Sequence, residues 1–271
     1  MARKEADTYE VFAIRYATNS ARRRGQNFIF DANPELPQPM DFFSWALVGT
    51  ERTIVIDTGM SPAKAEHHGH TFIRSPIEGL RALGIAPEKV DRVVLTHMHY
   101  DHIGNVDQFP TAHFWLPLAE MNYVVGPEMK YTWLRRAYEP DEITRLTGYL
   151  YDYRLTLHGA DLDIAPGVSV HLVGGHTAGQ EIVRVKTARG RVVLASDALH
   201  YYEEYERAVP FTVVHSVSDM LKAHDKIRAL ADSDDHVVPA HDPLVMDKYP
   251  PADPELDGFV VRLDVPPNAR S

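Results

Sequence analysis

The chain has 271 residues, a formal net charge of −10, 44% hydrophobic and 24% charged residues, and no cysteine. This composition is typical of a soluble globular protein; no apolar run approaches the roughly 20 residues of a membrane span, and the acidic charge disfavours nucleic-acid binding. The lack of cysteine excludes disulfides and thiolate metal ligands. No apolar segment follows the charged N-terminus, so we expect no signal peptide, no membrane association and a cytoplasmic protein with a single domain over residues 1–271.

The front half of the chain alternates strand and helix patterns. Residues 17–43 are rich in Phe and Pro and are predicted to form a long loop that covers a site. The three arginines at 22–24 in this loop are interpreted as a solvated surface rather than a phosphate-binding group. The next predicted elements are a hairpin over 46–48 and 53–56, a helix over 76–83 and a strand over 93–95.

A metal-binding pattern follows the last of these strands. His97, His99, Asp101 and His102 form an H-x-H-x-D-H cluster, and imidazole and carboxylate groups bind first-row transition metals. Because alternate residues of an extended chain point the same way, His97 and His99 can approach one ion together. The turn after the strand, with Gly104 to permit a sharp exit, can direct Asp101 and His102 to a second ion.

Residues 113–153 carry many aromatic side chains, weak strand signals and some helical spacing. We interpret this segment as a helical insertion, and its aromatic density favours a packed subdomain or the surface of a homodimer over a substrate pocket. Residues 250–271 are rich in Pro and Asp. They are predicted to form a surface tail with one edge strand at 259–261.

The back half contains strands that each lead to a polar side chain. They are 168–173 before His176, the hairpin of 181–186 and 191–196 before Asp197, and 236–240 before His241, with a helix predicted over 219–231. In both halves, then, candidate metal ligands follow strand ends. This arrangement predicts an α/β sandwich with its site at one sheet edge.

With these residues together, the chain resembles the metallo-β-lactamase superfamily over most of its length. The matching motifs are Ile56-Asp57-Thr58-Gly59, Thr96 to Asn105, Gly174-Gly175-His176-Thr177, Ser196-Asp197-Ala198 and Ala240-His241-Asp242. The resemblance implies a four-layer αββα sandwich that binds two divalent ions, zinc first, with iron, manganese or cobalt as alternatives.

The same resemblance implies a role for each candidate ligand. His97, His99 and His176 would hold one ion, and the second would be held by Asp101, His102 and His241. Asp197 would bridge both ions, and Asp57 would orient a ligand histidine.

A two-metal site predicts hydrolysis. Two ions about 3.5–4 Å apart can share a bridging hydroxide, which attacks a carbonyl carbon, and Asp101 can relay a proton to the leaving group. The ligand spacing looks most like the N-acyl-homoserine lactonase branch, whose members act in quorum quenching. We therefore expect a small lactone or related carboxylic ester as the substrate.

The residues after the bridging aspartate depart from that branch. Its lactonases usually have a tyrosine three residues after the aspartate, where this chain has His200, followed by Tyr201. Both are candidates for substrate contact or acid catalysis. A glyoxalase-type thioester hydrolase, a mononuclear-iron sulfur dioxygenase and a scaffold with a structural metal remain alternatives, and the histidines at 67, 68 and 70 are predicted to be exposed.

Overall fold

Two β-sheets form the centre of the computed structural model, which describes residues 7–268. The first sheet contains β1 (Glu10–Asn19), β2 (Met40–Val48), β3 (Thr53–Ile56), β4 (Thr71–Phe72), β5 (Arg92–Val94), β6 (His113–Pro117), β7 (Leu155–His158) and β13 (Val260–Arg262). The second contains β8 (Leu162–Ala165), β9 (Val168–Leu172), β10 (Glu181–Thr187), β11 (Gly190–Leu194) and β12 (Val237–Val238). The strand orders are β13-β1-β2-β3-β5-β6-β7, with β4 paired to β1, and β12-β11-β10-β9-β8.

Helices cover both outer faces of the paired sheets. They are α1 (Arg24–Asn27), α2 (Pro62–His67), α3 (Pro76–Ala82), α4 (Tyr100–Ile103), α5 (Leu118–Val124), α6 (Thr132–Arg135), α7 (Pro140–Tyr151), α8 (Tyr202–Arg207), α9 (Val217–Leu230) and α10 (Leu244–Lys248). Helices α3, α5 and α7 pack on the first sheet and α9 packs on the second. The predicted α/β four-layer sandwich is confirmed.

The inner strands are apolar on both faces because each sheet packs against the other sheet on one face and against helices on the other. In β1, Val11 and Ala13 belong to the core between the sheets, whereas Phe12 and Ile14 lie in the core beneath the helices. Successive side chains of a strand point to opposite faces, so a continuous hydrophobic run satisfies both layers. The core between the sheets gives the two halves a common, rigid frame.

Strand direction brings the candidate ligands to one edge of the sandwich. Strands β3 and β5 are parallel neighbours, and so are β11 and β12. Asp57 and His97 follow the first pair, and Asp197 and His241 follow the second. Because carboxyl ends of parallel strands meet at the same edge, all four side chains lie close together, as the sequence predicted.

The interpretation of residues 113–153 as a helical insertion is wrong for its first five residues. His113–Pro117 is the strand β6, which lies between β5 and β7 inside the first sheet. A short apolar run can fit a buried strand or a helix equally well, so its periodicity does not decide between them. The rest of the segment contains the helices α5, α6 and α7, as predicted.

The prediction of a surface tail from residue 250 onward is also wrong for much of that segment. The edge strand expected at 259–261 is confirmed as β13, which pairs antiparallel with β1. Val260, Val261 and Leu263 are buried, and Asp264 accepts a hydrogen bond from the backbone N–H of Val11. Residues 269–271 lie outside the described part of the chain.

The loop predicted over residues 17–43 is shorter than expected. Strand β1 extends to Asn19 and β2 begins at Met40, so only 20–39 connect them, with the short helix α1 inside. Phe42 and Phe43 are buried strand residues, whereas Phe30 is fully exposed. Within residues 7–268, no helix has the length and apolar character needed to cross a membrane.

Candidate metal centre

Four of the candidate ligands come from the turn and helix that follow β5. His97 and His99 lie in the turn, and Asp101 and His102 lie in the single-turn helix α4. All four are buried, as are His176, Asp197 and His241, which the second sheet contributes. The seven residues predicted from the sequence therefore meet at one place.

The first group of potential metal donors consists of His97, His99, His176 and Asp197. One ligand atom from each lies within 4.8 Å of the others. His176 Nε2 is 3.0 Å from His99 Nδ1 and 3.3 Å from Asp197 Oδ2. His97 Nε2 lies 4.0 Å from the same carboxylate oxygen. Three nitrogens and one oxygen thus surround a single position.

The second group consists of Asp101, His102, Asp197 and His241. Its four ligand atoms also lie within 4.8 Å of one another. His102 Nε2 and His241 Nε2 are 3.2 Å and 3.1 Å from Asp197 Oδ1, and they are 3.4 Å and 3.7 Å from Asp101 Oδ2. Asp197 belongs to both groups, with one oxygen toward each.

The outer nitrogens of three histidines are held by oxygen acceptors. His102 Nδ1 lies 2.7 Å from Asp57 Oδ2, His176 Nδ1 lies 2.8 Å from the Val213 carbonyl, and His241 Nδ1 lies 2.7 Å from the backbone carbonyl at position 41. Because Nδ1 donates to these oxygens, the Nε2 lone pair of each ring points into the centre. Each of the three rings therefore has the orientation that a histidine needs to bind a metal ion through Nε2.

Two other observations also fit bound cations. Among the described residues, the buried Nε2 atoms of His97 and His102 have no hydrogen-bond partner, although orphaned buried nitrogens are rare. Asp57, Asp101 and Asp197 all lie close to His102. Burial alone would lower the pKa of His102, but these three carboxylates raise it well above its usual range. Such an excess of negative charge is what a divalent cation would neutralise.

The other groups have the protonation states that metal binding requires. Burial lowers the pKa of His97 and of His176 well below the usual value, and it lowers that of His99 to about 4. Burial alone would raise the pKa of Asp197, but the surrounding histidines, His241 first, keep it well below its usual range. Neutral imidazoles and ionised carboxylates are the forms that bind metals.

Comparison with known proteins agrees with this geometry. The chain matches the family model of the metallo-β-lactamase superfamily over residues 43–241, a range that includes all seven candidate ligands. The chain belongs to this superfamily. Among curated members it is similar to an N-acyl homoserine lactonase of Bacillus cereus, with 26% identity over 177 residues, or 59% of this chain. The match spans 65% of the length of that relative.

Solved structures with the same fold include two from lactonases. One is a quorum-quenching N-acyl homoserine lactone lactonase, with a TM-score of 0.72, 19% identity and coverage of 88% of this chain and 94% of that one. Another is AidC, described as a dizinc quorum-quenching lactonase, with a TM-score of 0.63, 17% identity and coverage of 89% and 92%. At these identities the likeness is one of fold.

His200 lies beside the carboxylate that the two donor groups share. Its Nε2 is 3.2 Å from Asp197 Oδ2, and its ring stacks on Phe211 with ring centroids 3.6 Å apart. Burial alone would lower the pKa of His200, but Asp197 and Glu204 raise it to about 9. His200 also lines the cavity above the candidate metal centre, a position compatible with the predicted substrate contact.

The expectation that Tyr201 contacts substrate does not fit the structure. Its side chain is fully buried, away from the lining of the cavity. Its hydroxyl donates to the Pro39 carbonyl at 3.2 Å and accepts from Asn27 Nδ2 at 2.9 Å. Consecutive side chains diverge after the strand, so Tyr201 anchors the 20–39 loop while its neighbour His200 faces the cavity.

Two residues that sequence analysis did not single out hold the ligand loops together. Glu120, at the start of α5 and fully buried, accepts hydrogen bonds from the backbone N–H groups of Met98 at 2.9 Å and Gly179 at 2.7 Å. Thr96 donates from its backbone N–H and its hydroxyl to Asp57, each at 2.8 Å. A lone glutamate within the apolar 116–125 segment was the available signal for Glu120.

A cavity region lies above the candidate metal centre, and its inner and outer parts share His99 and His176 in their walls. Its inner part includes Arg22, Phe42 and Tyr100 in its walls. Its outer part is lined by aromatic residues of the 113–153 segment, among them Tyr123, Trp133 and Tyr138. Tyr123 and Tyr138 also pack in the core beneath the helices, as expected of a packed subdomain, so these residues contribute both to that core and to the cavity wall.

The histidines at 67, 68 and 70 are not all exposed as predicted. His67 is exposed, but the ring of His68 stacks on Tyr100 with centroids 3.6 Å apart, and His70 Nε2 is 2.7 Å from the Tyr100 hydroxyl. Two of the three therefore support the cavity wall.

His67 and His68 form a third group of possible donors with Glu139. The ammonium group of Lys64 lies 2.5 Å from Glu139 Oε2 and already neutralises that carboxylate. This group is therefore a poor cation site.

Proposed function

We propose that this protein is a metal-dependent hydrolase that opens a lactone or a related carboxylic ester, with two divalent ions in its site. The observation that carries the proposal is the pair of four-donor groups that share Asp197. A structural zinc site is normally closed by protein ligands, whereas two ions beneath a cavity leave positions for water and substrate.

The family comparisons support the choice of substrate and metal. The Bacillus cereus relative is an N-acyl homoserine lactonase, and AidC contains two zinc ions. We therefore propose zinc as the metal, a small lactone as the substrate, and quorum quenching as one setting for the reaction.

The bound ions would supply an activated water and polarise the substrate carbonyl. The chain's own residues move the proton and bind the substrate. Burial alone would raise the pKa of Asp101, but His102 keeps it well below its usual range, so the carboxylate stays ionised in the cavity wall. It can accept a proton from the attacking water and pass it to the leaving oxygen. His200 lines the same cavity and can donate a hydrogen bond to a substrate oxygen.

The test is a substrate panel run on protein whose metal content has been measured. The panel contains lactones, aryl esters, a β-lactam and S-lactoylglutathione. We expect about two metal ions per chain, removal of activity by a chelator, and recovery with Zn²⁺, Co²⁺ or Mn²⁺. Turnover of a lactone or an aryl ester should exceed turnover of the β-lactam and of S-lactoylglutathione. S-lactoylglutathione as the best substrate would point instead to a thioester hydrolase, and one iron per chain would point to a sulfur dioxygenase.

Removal of one ligand tests the need for the second metal position. His102→Ala should abolish hydrolysis and lower the metal content while the protein stays folded by circular dichroism. The matched control is His67→Ala, which removes an exposed histidine and should leave both readouts unchanged. Wild-type turnover in His102→Ala would refute the two-metal mechanism.

A further inference from the structure

Two arginines line the cavity above the metal centre. Arg22, from the 20–39 loop, lines the inner part, and Arg136, which follows α6, lines the outer part. The two parts share His99 and His176 in their walls, so the two arginines border adjacent parts of the cavity region. Neither residue belongs to the metal-binding groups.

Arg22 has only neutral hydrogen-bond acceptors. Its Nε donates to Asn27 Oδ1 at 2.5 Å and its Nη2 donates to the Gln26 carbonyl at 2.9 Å. Within residues 7–268, no carboxylate lies at ion-pair distance from it. Arg24, on the same loop, shows the contrast, since it pairs with both Asp31 and Glu203.

Arg136 is also without a carboxylate partner in the described chain. Its guanidinium stacks on the ring of Trp133, 3.7 Å from the ring centroid, and its Nη1 donates to the Trp133 carbonyl at 3.4 Å. Burial lowers the pKa of Arg136, and the positive charge of Arg22 lowers it further. Two cations that repel each other therefore border the cavity of a chain with a net charge of −10.

Arg136 is exposed, but Arg22 is half-buried, and a half-buried guanidinium without a counter-ion costs free energy, so its presence at the cavity needs a reason. The carboxylates in the inner cavity wall are Asp101 and Asp197, and the metal ions of the proposed site would neutralise both. Guanidinium groups match the geometry of carboxylate and phosphate oxyanions and bind them with charge-assisted hydrogen bonds. A bound ligand with an oxyanion would supply the missing charge.

We propose that Arg22, with Arg136 beside it, binds an oxyanion group on the substrate at a distance from the ester bond that is cleaved. The inference rests on the proposed function and narrows it, because the preferred substrate becomes an anionic lactone or ester. A neutral acyl chain would leave the half-buried Arg22 without a charged partner.

The experiment compares two lactones that differ in one charged group. N-succinyl-homoserine lactone carries a carboxylate where N-pentanoyl-homoserine lactone carries an ethyl group. The metal-loaded wild-type protein should have the higher kcat/KM for the succinyl compound, and added salt should reduce this preference because it screens the ion pair. An equal or lower kcat/KM for the succinyl compound would overturn the proposal.

Variants then assign the preference to Arg22. Arg22→Gln should lower the ratio of the two kcat/KM values by about 10- to 100-fold, the usual effect of losing a hydrogen bond to a charged group. Arg22→Lys keeps the charge and should retain part of the preference. The matched control is Arg23→Gln, an exposed neighbour that should leave the ratio unchanged. Equal losses on both lactones in Arg22→Gln and Arg22→Lys would show that Arg22 only supports the loop.

A binding measurement separates this proposal from the proposed function. The corresponding N-succinyl and N-pentanoyl γ-lactams keep the tails but lack the ester, and their affinities for the metal-loaded protein can be measured by calorimetry. If no lactone or ester is hydrolysed, the hydrolase proposal fails. Tighter binding of the succinyl γ-lactam, lost in Arg22→Gln, would still support the anion site, and equal binding would overturn it.

Discussion

Asp57 accepts a hydrogen bond from His102 at 2.7 Å and is itself held by two hydrogen bonds from Thr96. The backbone of Asp57 has a φ of +56°, a conformation that Asp and Asn tolerate better than most residues. The end of β3 therefore fixes the orientation of a candidate metal ligand that follows β5.

Loss of the Asp57 carboxylate should weaken metal binding. Asp57→Asn keeps a side chain suited to the positive φ but replaces a charged acceptor with an amide. We expect metal affinity to fall by about 10- to 100-fold, as for other residues that orient metal ligands, when chelator competition is measured. The control is Asp163→Asn, at an exposed position of β8. Equal affinity in both variants would contradict the assigned role.

Glu120 should control the spacing of the ligand loops. Glu120→Ala leaves the N–H groups of Met98 and Gly179 without an acceptor, so the loops of His97–His99 and His176 lose their common support. We expect lower metal occupancy and a lower melting temperature. Glu120→Gln keeps one acceptor oxygen. Its metal occupancy and melting temperature should lie between those of Glu120→Ala and the wild type. The exposed Glu66, mutated to Gln, is the control for charge.

His200 should affect turnover without affecting metal content. His200→Ala removes a side chain of the cavity wall but none of the seven candidate ligands. We expect kcat/KM to fall by at least about 100-fold, the usual range for a positioned acid or hydrogen-bond donor. Metal analysis provides the second readout. Loss of a metal ion in this variant would show that His200 is a ligand.

The buried pair Glu181 and His158 should make stability depend on pH. Burial raises the pKa of Glu181 from 4.5 to about 7, although His158, 3.2 Å away, acts in the opposite direction. The folded protein therefore binds a proton that the unfolded chain releases between these two values. The stability that Glu181 contributes in its protonated form is fully present below about pH 4.5 and is lost as the pH rises toward 7.

Urea denaturation measures this effect between pH 5 and 7. Because the contribution of Glu181 is lost as the pH rises, the change in midpoint with increasing pH should be more negative in the wild type than in Glu181→Gln, which cannot ionise. Glu66→Gln, on the exposed face of α2, should retain the wild-type slope. Identical slopes in all three proteins would contradict the assignment.

The candidate metal ligands could be predicted because their chemistry is local in the sequence. The six residues from His97 to His102 contain three histidines and an aspartate at a strand end, which are side chains that bind metals. The family resemblance added His176, Asp197 and His241. Other features depend on the direction in which a side chain points after folding. Tyr201 and His200 are neighbours, but only His200 faces the cavity. Arg22 gains its significance only because the 20–39 loop folds over the centre.

The seven candidate ligands divide between the two sheets, since residues 97–102 follow the first and 176, 197 and 241 follow the second. Ions bound there would tie the halves together, and the unfolded chain has no equivalent site. Such linkage adds about 2.7 kcal/mol to folding stability when free metal is 100 times the dissociation constant. The amount of folded protein in a cell would then follow the supply of metal as well as the rate of synthesis.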